Sequence, residues 1–173
     1  SFEDSSDKEE TPFRLSLVQA ELKKNSLLGY LVPRSDVHQG EYVAACDERL
    51  SWLTGFTGSA GICIVGKDRA GIFVDGRYSI QAKKQTKSPF EVIQWDKNSL
   101  VQWIEKKIMK GKIGFDPWLH SHKEIFSLSE QFANSGISFA PSDNLIEKVW
   151  MTRPAKTSNK IMKYPDDLAG LSA

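Results

Sequence analysis

Apolar residues recur along this chain with two different periods, and the switches between them mark out its elements. Leu15, Val18 and Leu22 stand three and four apart, which predicts an amphipathic helix ending near Lys24. Thr11 and Pro12 read as its N-cap and first helical position. Residues 26–31 form a short apolar run before Pro33 and read as a buried strand. Residues 44–49 read as a helical turn, and 50–54 as a further strand running into the glycine-rich stretch 55–61. Two apolar runs, 61–65 and 70–75, are joined by Gly66-Lys67-Asp68-Arg69 and predict a hairpin. A helix over 77–85 and a strand over 90–95 follow. Leu100, Ile104 and Ile108 mark another helix, with Gly111 as its C-cap. A short strand at 113–115, a helix over 122–133 and a strand over 137–140 complete the regular pattern. From Asp143 onward no period is visible: Arg153-Pro154 interrupts the chain, and residues 157–163 are polar and basic.

The hairpin requires an antiparallel pair, while strands alternating with helices require crossovers and parallel neighbours. The expected class is therefore α/β, a mixed parallel and antiparallel sheet with helices on both faces. The expected organisation is a solvated acidic tail over residues 1–10, one domain over 11–154, and a linker with the start of a second domain over 155–173.

Composition narrows the function. The 173 residues carry 23 Lys and Arg against 22 Asp and Glu, a net charge of +1. Dedicated nucleic-acid binding calls for a strong basic excess, which is missing. The first ten residues hold five acids against Lys8, leaving 22 basic and 17 acidic side chains in the remainder, a balance of +5. No apolar run is long enough to span a membrane, no secretion signal is visible, and two cysteines make no disulfide framework. A reducing, cytoplasmic setting fits these features.

Candidate chemistry is sparse. His120-Ser-His122 has neither a zincin motif nor a cysteine pair beside it, and a surface or capping role is the expectation. No metal site is expected in this chain. Gly58, Ser59 and Gly61 lie in a stretch that invites a phosphate reading, but no Gly-Lys-Ser/Thr follows and the stretch leads into a strand. A tight connection close to a neighbouring backbone is the favoured reading there. Cys63 sits in an apolar strand as a core thiol, and Cys46 has no histidine assigned to activate it. Two polar clusters stand out at strand ends, where sites are usually placed. One runs from Ser35 and Asp36 through His38 to Glu41 and Tyr42. The other is Asp75-Gly76-Arg77-Tyr78, whose arginine and tyrosine suit an anionic or peptide ligand. The structural alternatives, Asp36 capping a turn and Asp75 paired with Arg77, weigh about equally.

Several of these segments together resemble a known family. Residues 32–42, Cys46-Asp47, Trp52-Leu-Thr-Gly-Phe-Thr-Gly-Ser-Ala-Gly61 and Val74-Asp-Gly-Arg-Tyr78 resemble the amino-terminal domain of aminopeptidase P. This is the Xaa-Pro aminopeptidase of the creatinase/prolidase superfamily. Asn144-Leu145, Trp150, Arg153-Pro154 and the run from Tyr164 to Ser172 continue the likeness into the three-domain long form. The resemblance implies a parent enzyme that removes the N-terminal residue from peptides with proline second. It also implies two divalent metal ions, usually manganese, held in a carboxy-terminal domain that this chain does not include. On that reading the chain is inactive alone, and its partners are the catalytic domain and proline-containing peptides in a homodimeric parent. Asp75, Arg77, Tyr78 and His38, with Gly58, Ser59 and Gly61, become the candidate cleft-facing surface. The same fold without metal ligands also serves as a free-standing peptide- or histone-binding module, and that is the alternative function.

Overall fold

The computed structural model describes residues 2–35, 43–58, 61–96 and 98–155. A helix α1, Phe2–Lys24, leads into strand β1, Gly29–Pro33. A 3₁₀ turn, Ala45–Asp47, precedes helix α2, Arg49–Thr54. The hairpin strands are β2, Gly61–Gly66, and β3, Ala70–Val74. Helix α3 (Ser79–Gln85), strand β4 (Phe90–Gln94), helix α4 (Ser99–Lys107) and strand β5 (Gly111–Phe115) alternate after them. Helix α5 (His122–Glu130), strand β6 (Ile137–Pro141) and helix α6 (Leu145–Val149) close the described chain.

The six strands form one sheet in the order β4-β3-β2-β1-β5-β6. β2 is antiparallel to both β1 and β3, while β3–β4, β1–β5 and β5–β6 are parallel. Five strands therefore run one way and β2 alone runs back. The mixed α/β sheet expected from the sequence is the observed one.

Alternation along the strands sorts the core into two layers. Tyr30, Val32, Cys63, Val65, Ile72 and Val74 face α1, α2, α3 and α6. Leu31, Ile64 and Phe73, the residues between them, face α4 and α5. A one-residue slip in register would exchange the two layers, and this fixes the pairing Leu31↔Ile64.

Four expectations are corrected. The first helix begins at Phe2, not at Thr11–Pro12, so the acidic stretch read as a tail is helical from residue 2. Pro12 has no N–H to bond the carbonyl of Lys8, and the Thr11 hydroxyl donates to that carbonyl instead, at 2.8 Å. Thr11 is thus a buried repair of the proline position. Residues 50–54 are helical, not a strand: Leu50 and Leu53 share one buried face, and Thr54 Oγ1 donates back to the Leu50 carbonyl at 2.7 Å. Gly111 opens β5, and Met109, with φ of 68°, makes the turn after α4. Finally, α6 stands where no period was visible. Five residues are too few to show one, yet Leu145 and Ile146 are fully buried and Asn144 caps the helix by accepting from the Glu147 amide at 3.1 Å. The linker and second-domain start expected over 155–173 fall almost wholly outside the described residues.

Candidate functional site

The strand-end loops gather at one edge of the sheet. Because β1, β3, β4 and β5 are parallel, the residues after each of them meet at their carboxyl ends, beside the start of the reversed β2. Open α/β sheets hold ligands in that position.

Asp75 leaves β3 and starts a 3₁₀ turn, Gly76–Tyr78. Its Oδ1 accepts from the Arg77 amide at 2.9 Å and from Arg77 Nε at 3.1 Å. Those two bonds, in that order, hold the Asp75 carboxyl below its ordinary range. The guanidinium side chain is 77% exposed and lies 5.8 Å from the centre of the Tyr78 ring. Asp75 thus orients Arg77 with its charge turned outward, so the structural pairing and an outward-facing cation coexist. Tyr78 packs edge-on against Phe56, with ring centres 6.2 Å apart.

Phe56 also explains the glycines. Gly55 ends α2 with φ of 83°, a conformation side chains rarely adopt, and a Cβ there would sit 2.5 Å from the Gln85 carbonyl oxygen. A Cβ on Gly58 would lie 2.2 Å from the Phe56 ring. Thr57 is tied to α3 by its amide, which donates to Gln85 Oε1, and by its hydroxyl, which accepts from Gln85 Nε2 at 2.8 Å. The glycines of this stretch let Phe56 and α3 close over it, as the tight-connection reading expects. His38 and Ser59 lie outside the described residues.

Beside Asp75 opens a crevice of about 620 Å³ on the α4/α5 face. Gly61 and Asp75 line it; Gly58, Arg77 and Tyr78 do not. Its floor is Leu31 and Phe73, with Trp95, Leu100 and Leu128 around it. Arg34 and His120 are part of its wall. Arg34 pairs with Glu48 at 3.4 Å.

His120 is the residue the sequence misplaced. Its side chain is only 7% exposed, so a surface role is excluded. The capping role belongs to Ser121, which accepts from the Glu124 amide while Glu124 accepts from its own amide. His120 Nδ1 stands 3.9 Å from Glu124 Oε2, too far for a hydrogen bond, and Nε2 is buried with no partner. Burial lowers the imidazole pKa, with Glu124 and Asp116 opposing weakly. The available signal was positional, since Asp116-Pro117 ends β5 as Asp75-Gly76 ends β3. Trp95, 48% exposed just after β4, carried the same signal.

Cys63 is fully buried in β2, and desolvation pushes its thiol far up, so it is an inert core group. Among the described residues no three His, Cys, Asp or Glu side chains converge to hold a metal ion, and no helix is long and apolar enough to cross a membrane. The described residues therefore do not fit a metal pair.

Comparison with known proteins agrees with the geometry. Residues 14–151 match the Creatinase/Prolidase N-terminal domain. A protein named probable Xaa-Pro aminopeptidase P from Pyrenophora teres f. teres is 35% identical over 169 residues, covering 94% of this chain and 26% of the relative. One of the same name from Coccidioides posadasii is 37% identical with the same coverage. The chain thus spans about a quarter of the length of these relatives. Among solved structures, the X-prolyl aminopeptidase of Caenorhabditis elegans, a cytosolic enzyme with a di-nuclear active site, superposes with a TM-score of 0.75 at 26% identity. That match covers 84% of this chain and 26% of the other. The aminopeptidase P of Streptococcus thermophilus shares the fold, with a TM-score of 0.64 at 24% identity, covering 82% of this chain and 98% of that one. The chain belongs to the creatinase/prolidase N-terminal domain family.

Proposed function

We propose that this chain is the non-catalytic amino-terminal domain of a cytoplasmic Xaa-Pro aminopeptidase, a metallopeptidase that removes the residue preceding proline. The observation that carries the reading is its likeness, over nearly its whole length, to a quarter of proteins bearing that name. In the parent, two divalent metal ions, manganese by resemblance, belong to the carboxy-terminal domain and supply the activated water. This chain's part is to cover the cleft and hold the peptide. Arg77 offers an exposed cation at a fixed angle, Asp75 sets that angle, and Tyr78 supports it from below. His38 and the Gly58, Ser59 and Gly61 stretch complete the proposed cleft-facing surface. The parent is a homodimer on the same reading.

The test uses the full-length enzyme. Arg77→Ala raises KM or lowers kcat for a peptide with proline second, with the melting temperature unchanged. Unaltered kinetic constants would remove Arg77 from the cleft. Separately, the 173-residue chain incubated with an Xaa-Pro peptide and manganese leaves the peptide intact; turnover at an enzymatic rate would refute its non-catalytic role.

A further inference from the structure

The crevice beside Asp75 has the attributes of a binding pocket in its own right. Its volume of about 620 Å³ falls inside the range of roughly 300–1,000 Å³ that small ligands occupy. Its wall is mostly apolar, and Phe73 presents its ring at the base, edge-on to Trp95 at 6.5 Å. Trp95 keeps 48% of its surface open just past the edge strand β4.

Electrostatics narrows the occupant. Arg34 is matched by Glu48 at 3.4 Å and Asp75 by Arg77 at 3.1 Å. Glu124 is 63% exposed at the rim, and its carboxylate bonds the Ser121 amide. The cations and the deeper carboxylate already have opposite charges beside them, so an ionic ligand would gain little on desolvation. What the wall does offer is an uncharged hydrogen-bonding group without a partner, His120 Nε2, on a side chain more than nine-tenths buried. A buried imidazole nitrogen without a partner is costly to the fold, which makes it a marker of a group meant to be met. An aromatic or branched apolar body with one neutral amide answers both features.

We propose that this crevice receives an uncharged aromatic or branched apolar side chain of a peptide, with the adjoining amide bonded to His120 Nε2. The proposal rests on the reading of the chain as part of a peptide-handling enzyme and names a second contact for the peptide, next to Arg77 but on the other side of Asp75. Trp95 and Phe73 pack against the ring, Leu31, Leu100 and Leu128 enclose it, and His120 reads the amide.

The experiment is a titration of the 173-residue chain with N-acetylphenylalaninamide, followed by two-dimensional NMR of the Trp95 indole and the His120 imidazole. Shifts at these two groups are expected, with a Kd on the order of 1 mM for so small a probe. N-acetylalaninamide, lacking the ring, should bind at least about tenfold more weakly. N-acetylphenylalanine, which keeps the acetamide but carries a carboxylate in place of the terminal carboxamide, should also be weaker. Leu128→Trp fills the crevice and should abolish the shift at His120, while His120→Ala should weaken binding about fivefold. The wild-type ligand series decides the matter if a variant does not fold. Equal binding of the alanine and phenylalanine probes, or no shift at Trp95 and His120, overturns the pocket. That failure leaves Arg77 and the cleft untouched, because they are judged by the kinetics of the full-length enzyme.

Discussion

The two faces of the sheet are built to different standards. On the α1/α2/α3/α6 face, burial is nearly complete and even the charges are tied together. Asp47 is held by Arg49 and Arg153, both at 3.2 Å, and Glu147 by the same two arginines at 2.6 and 3.1 Å. Arg153 Nε donates to the Cys46 carbonyl at 2.7 Å, and Trp52 stacks on Trp150 at 5.4 Å. The α4/α5 face is closed by Trp103, Ile104 and Phe132 over its centre, but opens into the crevice at its carboxyl edge. The contrast shows where the fold maximises stability and where it leaves a surface unfinished.

This contrast can be broken, beginning with the largest effect. Asp47→Ala leaves the buried Arg49 and the partly exposed Arg153 sharing Glu147 and should lower the unfolding free energy by about 3 kcal/mol. Chemical denaturation measures it, and a loss under about 1 kcal/mol would mean that the ion lattice behaves as a surface pair. Next comes Gly55→Ala, which combines a positive φ with a Cβ 2.5 Å from the Gln85 carbonyl. A cost of about 2–3 kcal/mol is expected, visible as a lower melting temperature. Relaxation to no loss would show that α3 is free to move away from the loop.

On the open face the sign reverses. His120→Leu removes a buried group with an unbonded nitrogen and should raise stability by about 1–2 kcal/mol. The pH profile sharpens this. Burial lowers the folded pKa of His120 from its ordinary 6.5, so between the two values the unfolded chain binds more protons. Stability should therefore fall as pH drops below about 6.5, and level off beneath the lowered pKa. The leucine variant loses this component, and a profile identical to wild type would show that His120 titrates normally. Arg77→Ala is the smallest in stability: its exposed guanidinium pairs locally with Asp75, so no measurable change in melting temperature is expected. A measurable loss would assign Arg77 to the fold and not to the cleft.

Legibility in the sequence followed local periodicity. The hairpin and the α3 to β6 alternation could be read because each element carries its own pattern. The errors fell where a local rule met a competing contact. Pro12 marked a helix start by rule, yet Thr11 supplied the missing bond and the helix ran on to Phe2. Residues 50–54 were apolar enough for either element, and the decision came from Leu50 and Leu53 packing in the α1-side core. His120 was read together with His122, which opens α5, as a surface or capping residue, whereas its neighbours in space are Phe115 and the crevice wall.

The mixed sheet followed from the chain alone, because periods of two and near four and the turn residues act over a few positions, and the family followed from the likeness of its short motifs. The crevice, the orphaned nitrogen of His120 and the ion lattice around Asp47 were decided only by the tertiary structure. They depend on residues up to 106 positions apart, such as Asp47 and Arg153. Only the packing of the helices on the sheet brings such residues together, and only burial turns their polar atoms into an energetic question.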